Sequence, residues 1–221
     1  MLFRSWVDLM IGDVEICAIQ PPGSANRIRE KPFTRLLTMV EDLLPAVSPY
    51  LDKPFAFFGH SMGAKMSFEL VRQLRARNNR LPMHLFVSGA RAPHIPDSEP
   101  PLYALNDAEL VERLATLNGT PKEVLAHPEL MQLMLPLLRA DFEVCETYEY
   151  ADDAPLDCPI SVFGGLYDHK IKREFLEGWR QHTHAGCSVR MFPGDHFFLN
   201  TCQSQLLQII SRELLLMRAP A

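Results

Sequence analysis

Cysteine is scarce. Five residues, Cys17, Cys145, Cys158, Cys187 and Cys202, are scattered and odd in number, and no Cys-x-x-Cys pair occurs. That pattern indicates neither a disulfide framework nor a zinc site, so the thiols are read as reduced filler and no metal is expected. An excess of positive charge is also lacking. Twenty-two Lys and Arg stand against 27 Asp and Glu, giving a net charge of −5 and a pI near 5.9, the wrong sign for a protein that coats nucleic acid by releasing counterions. No run approaches the ~18 apolar residues of a membrane helix, and the opening MLFRSWVDLM carries charge too early for a secretory signal. No nucleic acid and no membrane are therefore expected as partners, and the expected compartment is the cytoplasm. Internal repeats and low-complexity tracts are missing too. What the chain has is a globular balance, 47% apolar and 22% charged over 221 residues, enough for one large domain or two small ones.

Short apolar runs that end near Gly or Pro alternate with segments of helical period, the pattern of a parallel sheet flanked by helices. Five runs qualify as strands buried on both faces: Val14 to Ile19, Phe55 to Gly59, His84 to Gly89, Ile160 to Gly165 and Ser188 to Phe192. Helical patterns cover Thr34 to Tyr50, Met62 to Arg77, Glu174 to His184 and Thr201 to Met217.

One interval breaks the rhythm. Between Gly89 and Ile160 no strand signal occurs, a stretch far longer than an ordinary crossover. Within it Asp107 to Leu117 is helical, Thr120-Pro121-Lys122-Glu123 reads as a helix start, and Glu129 to Tyr148 is a helix kinked at Pro136. The first half of that last helix, with Leu130, Met131, Met134 and Leu138, is apolar nearly all round, so it must be covered on several sides or line a greasy cavity. The expected division is a core of residues 1–92 and 154–221 with a helical insertion at 93–153.

Gly59-His60-Ser61-Met62-Gly63 is a Gly-x-Ser-x-Gly motif placed where a buried strand turns into a helix. Such a turn is tight enough to need minimal flanking side chains, which Gly59 and Gly63 supply, and it presents the serine hydroxyl above the helix N-terminus. A serine needs an imidazole to take its proton and a carboxylate to orient that imidazole. In this architecture acid and base follow the serine in loops after late strands. Asp168 follows the fourth run, and His196 follows the fifth in Pro193-Gly194-Asp195-His196. The alternatives are Asp195, which abuts His196, His169, which abuts Asp168, and His60 within the elbow; His182 and His184 fall on a helix and His127 in the insertion.

Residue by residue the chain resembles a type II thioesterase of the α/β-hydrolase superfamily, the stand-alone editing enzymes of polyketide and nonribosomal peptide synthetases. The likeness spans nearly the whole chain. It rests on Pro54 to Ala64, Ser88 to His94, Leu138 to Phe142, Glu146 to Tyr148, Cys158 to Ile160 and Phe192 to Phe198. The resemblance implies an α/β-hydrolase fold, mostly parallel with helices around the sheet, and a helical lid over an acyl-phosphopantetheine channel to which Leu130, Met131, Met134 and Leu138 are assigned. It implies Ser61 as nucleophile, Asp168 as orienting acid, His196 as base and the Met62 amide as oxyanion donor. No cofactor is expected, because the substrate carries its own phosphopantetheine.

The implied partners are acyl or peptidyl carrier proteins, and the implied state is a monomer. Arg72, Arg75, Arg77 and Arg80 crowd the end of the elbow helix, where they read as a solvated face or a docking patch for an acidic carrier; Lys65 reads as an exposed position. Family members open with a strand and a turn of the form Phe-Pro-x-Ala-Gly-Gly, which has no counterpart ahead of Phe3-Arg4-Ser5-Trp6. On this reading the sheet keeps an open interior position between Val14–Ile19 and Phe55–Gly59, Met62 is the sole family-type oxyanion donor, and the chain is expected to be poorly active or aggregation-prone. An esterase for small or fatty acyl esters, or a catalytically silent truncated relative, would carry the same residues.

Overall fold

The inner strands carry apolar side chains on both faces, and the fold supplies a cover for each face. The computed structural model describes residues 3–10, 12–117 and 119–218. Four strands, β1 (Ala56–His60), β2 (His84–Ser88), β3 (Ile160–Gly165) and β4 (Cys187–Phe192), pair in parallel in that order, in register from Ala56 beside His84 to Gly165 beside Phe192. Every residue of β2 and β3 is buried, whereas the edge strands β1 and β4 are partly open.

Helix α1 (Leu36–Val47) packs on α2 (Met62–Ala76). On the α2 face of the sheet Leu85, Val87, Ile160 and Val162 meet Ala64, Phe68, Val71 and Trp179. The alternate residues Phe86 and Phe163 face the other way, toward Phe192, Phe198, Leu206, Leu207 and Ile210, the two-sided burial that makes a parallel strand read as continuous apolar sequence.

Between β2 and β3 the described chain forms no strand; besides an isolated bridge from Leu156 to Thr183 it carries α3 (Asp107–Leu117), α4 (Lys122–Leu125) and the long α5 (Pro128–Glu146). Leu102, Leu110, Leu114, Met131 and Leu135 give these helices a small core of their own. After β3 come α6 (Arg173–Glu177) and a 3-10 turn, Gly178–His182, where the sequence suggested one continuous helix; α7 (Phe198–Thr201) and α8 (Gln203–Arg218) follow β4.

Four of the five expected strands form. Residues 14–19 form no strand and pair with none among the described residues, and β1 is the sheet edge there. Val14 and Ile16 are half-buried while Cys17, Ala18 and Ile19 are exposed, and all five line a cavity. An apolar β-prone run becomes a strand only where a ladder partner accepts its backbone groups.

Candidate active site

The site begins at the turn between β1 and α2. Ser61 sits there at φ 54° and ψ −116°, a region closed to most side chains and tolerated where surrounding structure enforces it. The enforcement is visible: the Ser61 N–H donates to the Ser88 carbonyl at 2.8 Å, and the Ser61 carbonyl accepts from Ala64 N–H at 3.0 Å. A Cβ on Gly59 would lie 2.0 Å from the Gly63 carbonyl oxygen, so no other residue fits. Gly63 itself is different. A Cβ there meets nothing within 4 Å, so of the two glycines only Gly59 is required by the turn. Met62 opens α2, and its N–H, at the first helical position, has no i−4 carbonyl to serve.

Asp168 and His196 are brought together by the two loops beyond β3 and β4. A Cβ on Gly165 would lie 2.1 Å from the Asp195 carbonyl oxygen, so glycine lets the loops close on each other. Leu166 and Tyr167 N–H groups then donate to Phe192 and Gly194 carbonyls at 2.8 and 2.9 Å. Across this seam His196 Nδ1 meets Asp168 Oδ2 at 2.7 Å, while Asp168 Oδ1 accepts from the Lys170 and Ile171 amides at 2.9 and 3.0 Å. Burial by itself would raise the Asp168 carboxyl; the hydrogen bond and charge of His196, with the two amides, hold it below the usual carboxylate range. Asp195 is the weaker candidate for orienting acid, because its Oδ1 accepts the Phe197 N–H at 2.9 Å within its own loop.

Ser61, Met62, Asp168 and His196 all line one cavity of about 680 Å³. Among the described residues no hydrogen bond joins the Ser61 hydroxyl to His196; such contacts are often long in an empty site and tighten around a bound substrate. His60, beside them, is buried, with Nδ1 3.0 Å from Ser88 Oγ and its ring 4.9 Å from that of His196. Burial, and then the charge of His196, pushes its pKa down to about 3, so His60 is neutral.

The four lid residues separate. Leu138 lines the cavity. Met131 lies in the core of the insertion, Met134 is half-buried, and Leu130 is 44% exposed. A helix apolar on most sides divides its surface between a core, a cavity and water.

Two further expectations change. Lys65 is half-buried and lines the cavity, its Nζ donating to the Cys145 carbonyl at 3.0 Å. Three of the four arginines are tied down within the chain: Arg72 and Arg75 share Asp153 Oδ2 at 3.3 and 2.6 Å and reach the Ala151, Ala154 and Pro155 carbonyls, and Arg80 donates to the Asp52 carbonyl. Asp141, Phe142 and Cys145 of α5 also line the cavity. Burial raises the pKa of Asp141 to about 6. Of these positions only Lys65 carried a usable sequence signal, its i+4 spacing from Ser61.

A serine on a strained strand-to-helix turn, with an Asp–His pair on loops after two later parallel strands, defines an α/β-hydrolase. The chain belongs to the thioesterase family: residues 1–214 match the family described as "Thioesterase domain". It is 44% identical over 218 residues to the gramicidin S biosynthesis protein GrsT of Aneurinibacillus migulanus, an alignment that covers 99% of this chain and 85% of that protein. Among solved structures it resembles RedJ, a thioesterase of the prodiginine pathway in Streptomyces coelicolor, at 35% identity and a TM-score of 0.90, covering 96% of this chain and 84% of RedJ. It also resembles YbtT, a type II thioesterase of the yersiniabactin pathway, at 30% identity and a TM-score of 0.81, covering 99% and 89%.

Proposed function

We propose that this protein is an editing thioesterase that hydrolyses aberrant or stalled acyl groups from the phosphopantetheinyl arms of carrier proteins in polyketide or nonribosomal peptide synthesis. The observation that carries the reading is the 2.7 Å Asp168–His196 pair in the cavity that holds the elbow serine. Membership of the thioesterase family supports it, as does the likeness to a type II thioesterase.

In this reading Ser61 Oγ attacks the thioester carbonyl and passes its proton to His196 Nε2, the nitrogen that Asp168 leaves unbound. The oxyanion takes the Met62 N–H. Collapse of the tetrahedral intermediate expels the phosphopantetheine thiolate, which leaves with the proton from His196. Water then deprotonated by the same imidazole releases the acid and regenerates Ser61. Asp168 holds the ring tautomer throughout. Phosphopantetheine enters with the substrate, so the chain requires no cofactor of its own. Residues 93–153 form the lid, and the carrier protein is the partner. No helix among the described residues is long and apolar enough to cross a membrane; a cytoplasmic setting accords with a carrier-protein substrate.

The test compares hydrolysis of an acyl carrier protein thioester with that of a soluble acyl ester, alongside labelling by a serine-directed fluorophosphonate. The expected result is carrier thioester turnover and labelling at Ser61, both lost in Ser61→Ala, with turnover falling on the order of 10⁶-fold. Preference for the soluble ester would make the protein an esterase, and no labelling would make it a silent relative.

A further inference from the structure

Lys65 is the cationic group closest in sequence to the nucleophile, and nothing in the proposed mechanism uses it. It lies one helical turn after Ser61 on α2, about 6 Å further along the helix axis, and both residues line the same cavity. The cavity wall carries apolar side chains, among them Met62, Met66, Leu138 and Phe142, together with the charged Arg91, Asp97, Asp141 and Glu146. One proton of Nζ is taken by the Cys145 carbonyl, and Nζ lies 5.5 Å from the centre of the Tyr148 ring. No carboxylate among the described residues stands within ion-pair distance of it. An ammonium carries three donors, so two remain for whatever fills the cavity. Burial lowers the lysine pKa, offset in part by the more distant charges of Asp97 and Glu146.

We infer that Lys65 is a specificity-determining residue, its ammonium seating an oxygen acceptor carried on the acyl chain close behind the carbonyl that Ser61 attacks. The favoured substrates are then keto-, hydroxy- or carboxylate-bearing acyl thioesters. A plain saturated chain would desolvate the ammonium and offer it no acceptor. The inference rests on the thioesterase reading of the site and deepens it by naming the acyl class.

The experiment uses pantetheine thioesters of equal chain length in four arms: saturated, 3-oxo, 3-hydroxy and terminally carboxylated. In Lys65→Met, kcat/KM for at least one oxygenated arm should fall roughly ten- to hundredfold, as expected for loss of a charge-assisted hydrogen bond. The saturated arm should stay near the wild-type value, and Lys65→Arg should retain the discrimination. The arm that falls identifies the acceptor. Equal losses in all four arms would mark Lys65 as a mere strut between α2 and α5, or as a contact to pantetheine, and would overturn the inference; so would no loss in any arm. Melting curves for Lys65→Met and Lys65→Arg check folding. The same four thioesters are titrated into Ser61→Ala with and without Lys65→Met, where loss of affinity confined to oxygenated arms supports the role and uniform affinity refutes it. That binding comparison decides the role of Lys65 even if the wild type hydrolyses none of the four, a result that would count against the proposed activity instead.

Discussion

Ser61 occupies a backbone region that costs of order 1–3 kcal/mol, and its neighbours hold it there. Gly59 is one of them, because the carbonyl of Gly63 fills the space its side chain would need. Gly59→Ala should therefore destabilise the protein by roughly 3 kcal/mol, the upper end of the overpacking range, since backbone and not a flexible side chain is in the way. In a chain this long that corresponds to a fall in Tm of about 6–12 °C. Gly63→Ala should leave Tm unchanged or raised. Thermal melts of the two variants check the contrast, and equal losses would contradict it. The Asp168–His196 hydrogen bond makes a second residue-level prediction. Asp168→Asn should lower kcat by up to ~10⁴ by imposing the wrong imidazole tautomer. Asp195→Asn, whose carboxylate turns into its own loop, should cost far less, and a larger loss at Asp195 would reverse the assignment.

Helix α2 begins at the serine and ends at arginines that grip the returning insertion. Glu69, almost wholly buried, is satisfied by Arg72 Nη1 at 2.6 Å and by the Tyr148 hydroxyl. Asp153, more open, receives Arg72 and Arg75 together. The elbow helix and the segment that closes the insertion are thus one mechanical unit. Asp153→Ala removes the shared acceptor of two arginines, and because the carboxylate is partly solvated the expected cost is about 1 kcal/mol. The more telling readout is limited proteolysis, which should cut within residues 93–153 faster in the variant than in the wild type. Unchanged cleavage would mean that the backbone carbonyls of Ala151, Ala154 and Pro155 suffice to hold the segment.

At the scale of the whole molecule, three buried histidines among the described residues are held neutral. Burial pushes His60 down to about 3 and His84 and His182 to about 4, with His196 and His94 adding repulsion at the first and third. The unfolded chain takes up these protons from about pH 6.5 downward while the folded one does not. Between pH 6.5 and about 4 the unfolded state therefore binds more protons, and stability falls as the pH falls. Asp141, raised to about 6, and Glu146, raised by burial, work in the opposite direction, two carboxyls against three imidazoles. Tm measured from pH 7.5 to pH 4 should decline continuously through that window. A flat profile would show that the histidines titrate normally in the folded protein.

The order of elements was legible in the sequence because each depends on local spacing. A run of apolar residues ending at glycine marks a buried strand, and a helical period marks its cover, so β1 to β4 and the helices between them could be placed by counting. The Asp168–His196 pair was legible for the same reason: each lies a short, fixed distance beyond a strand, and parallel strands deliver their C-terminal loops to one edge of the sheet. Residues 14–19 show the limit of that logic, since strand formation depends on a ladder partner that no local pattern reports. Arg72 and Arg75 looked like a solvent-facing cluster because Asp153, the acid that binds them, lies about eighty positions along the chain. Lys65 could be assigned to the same face of α2 as Ser61 from spacing alone. Whether that face met water or the carbonyl of Cys145 depended on where α5 came to rest, which is a property of packing between elements distant in sequence.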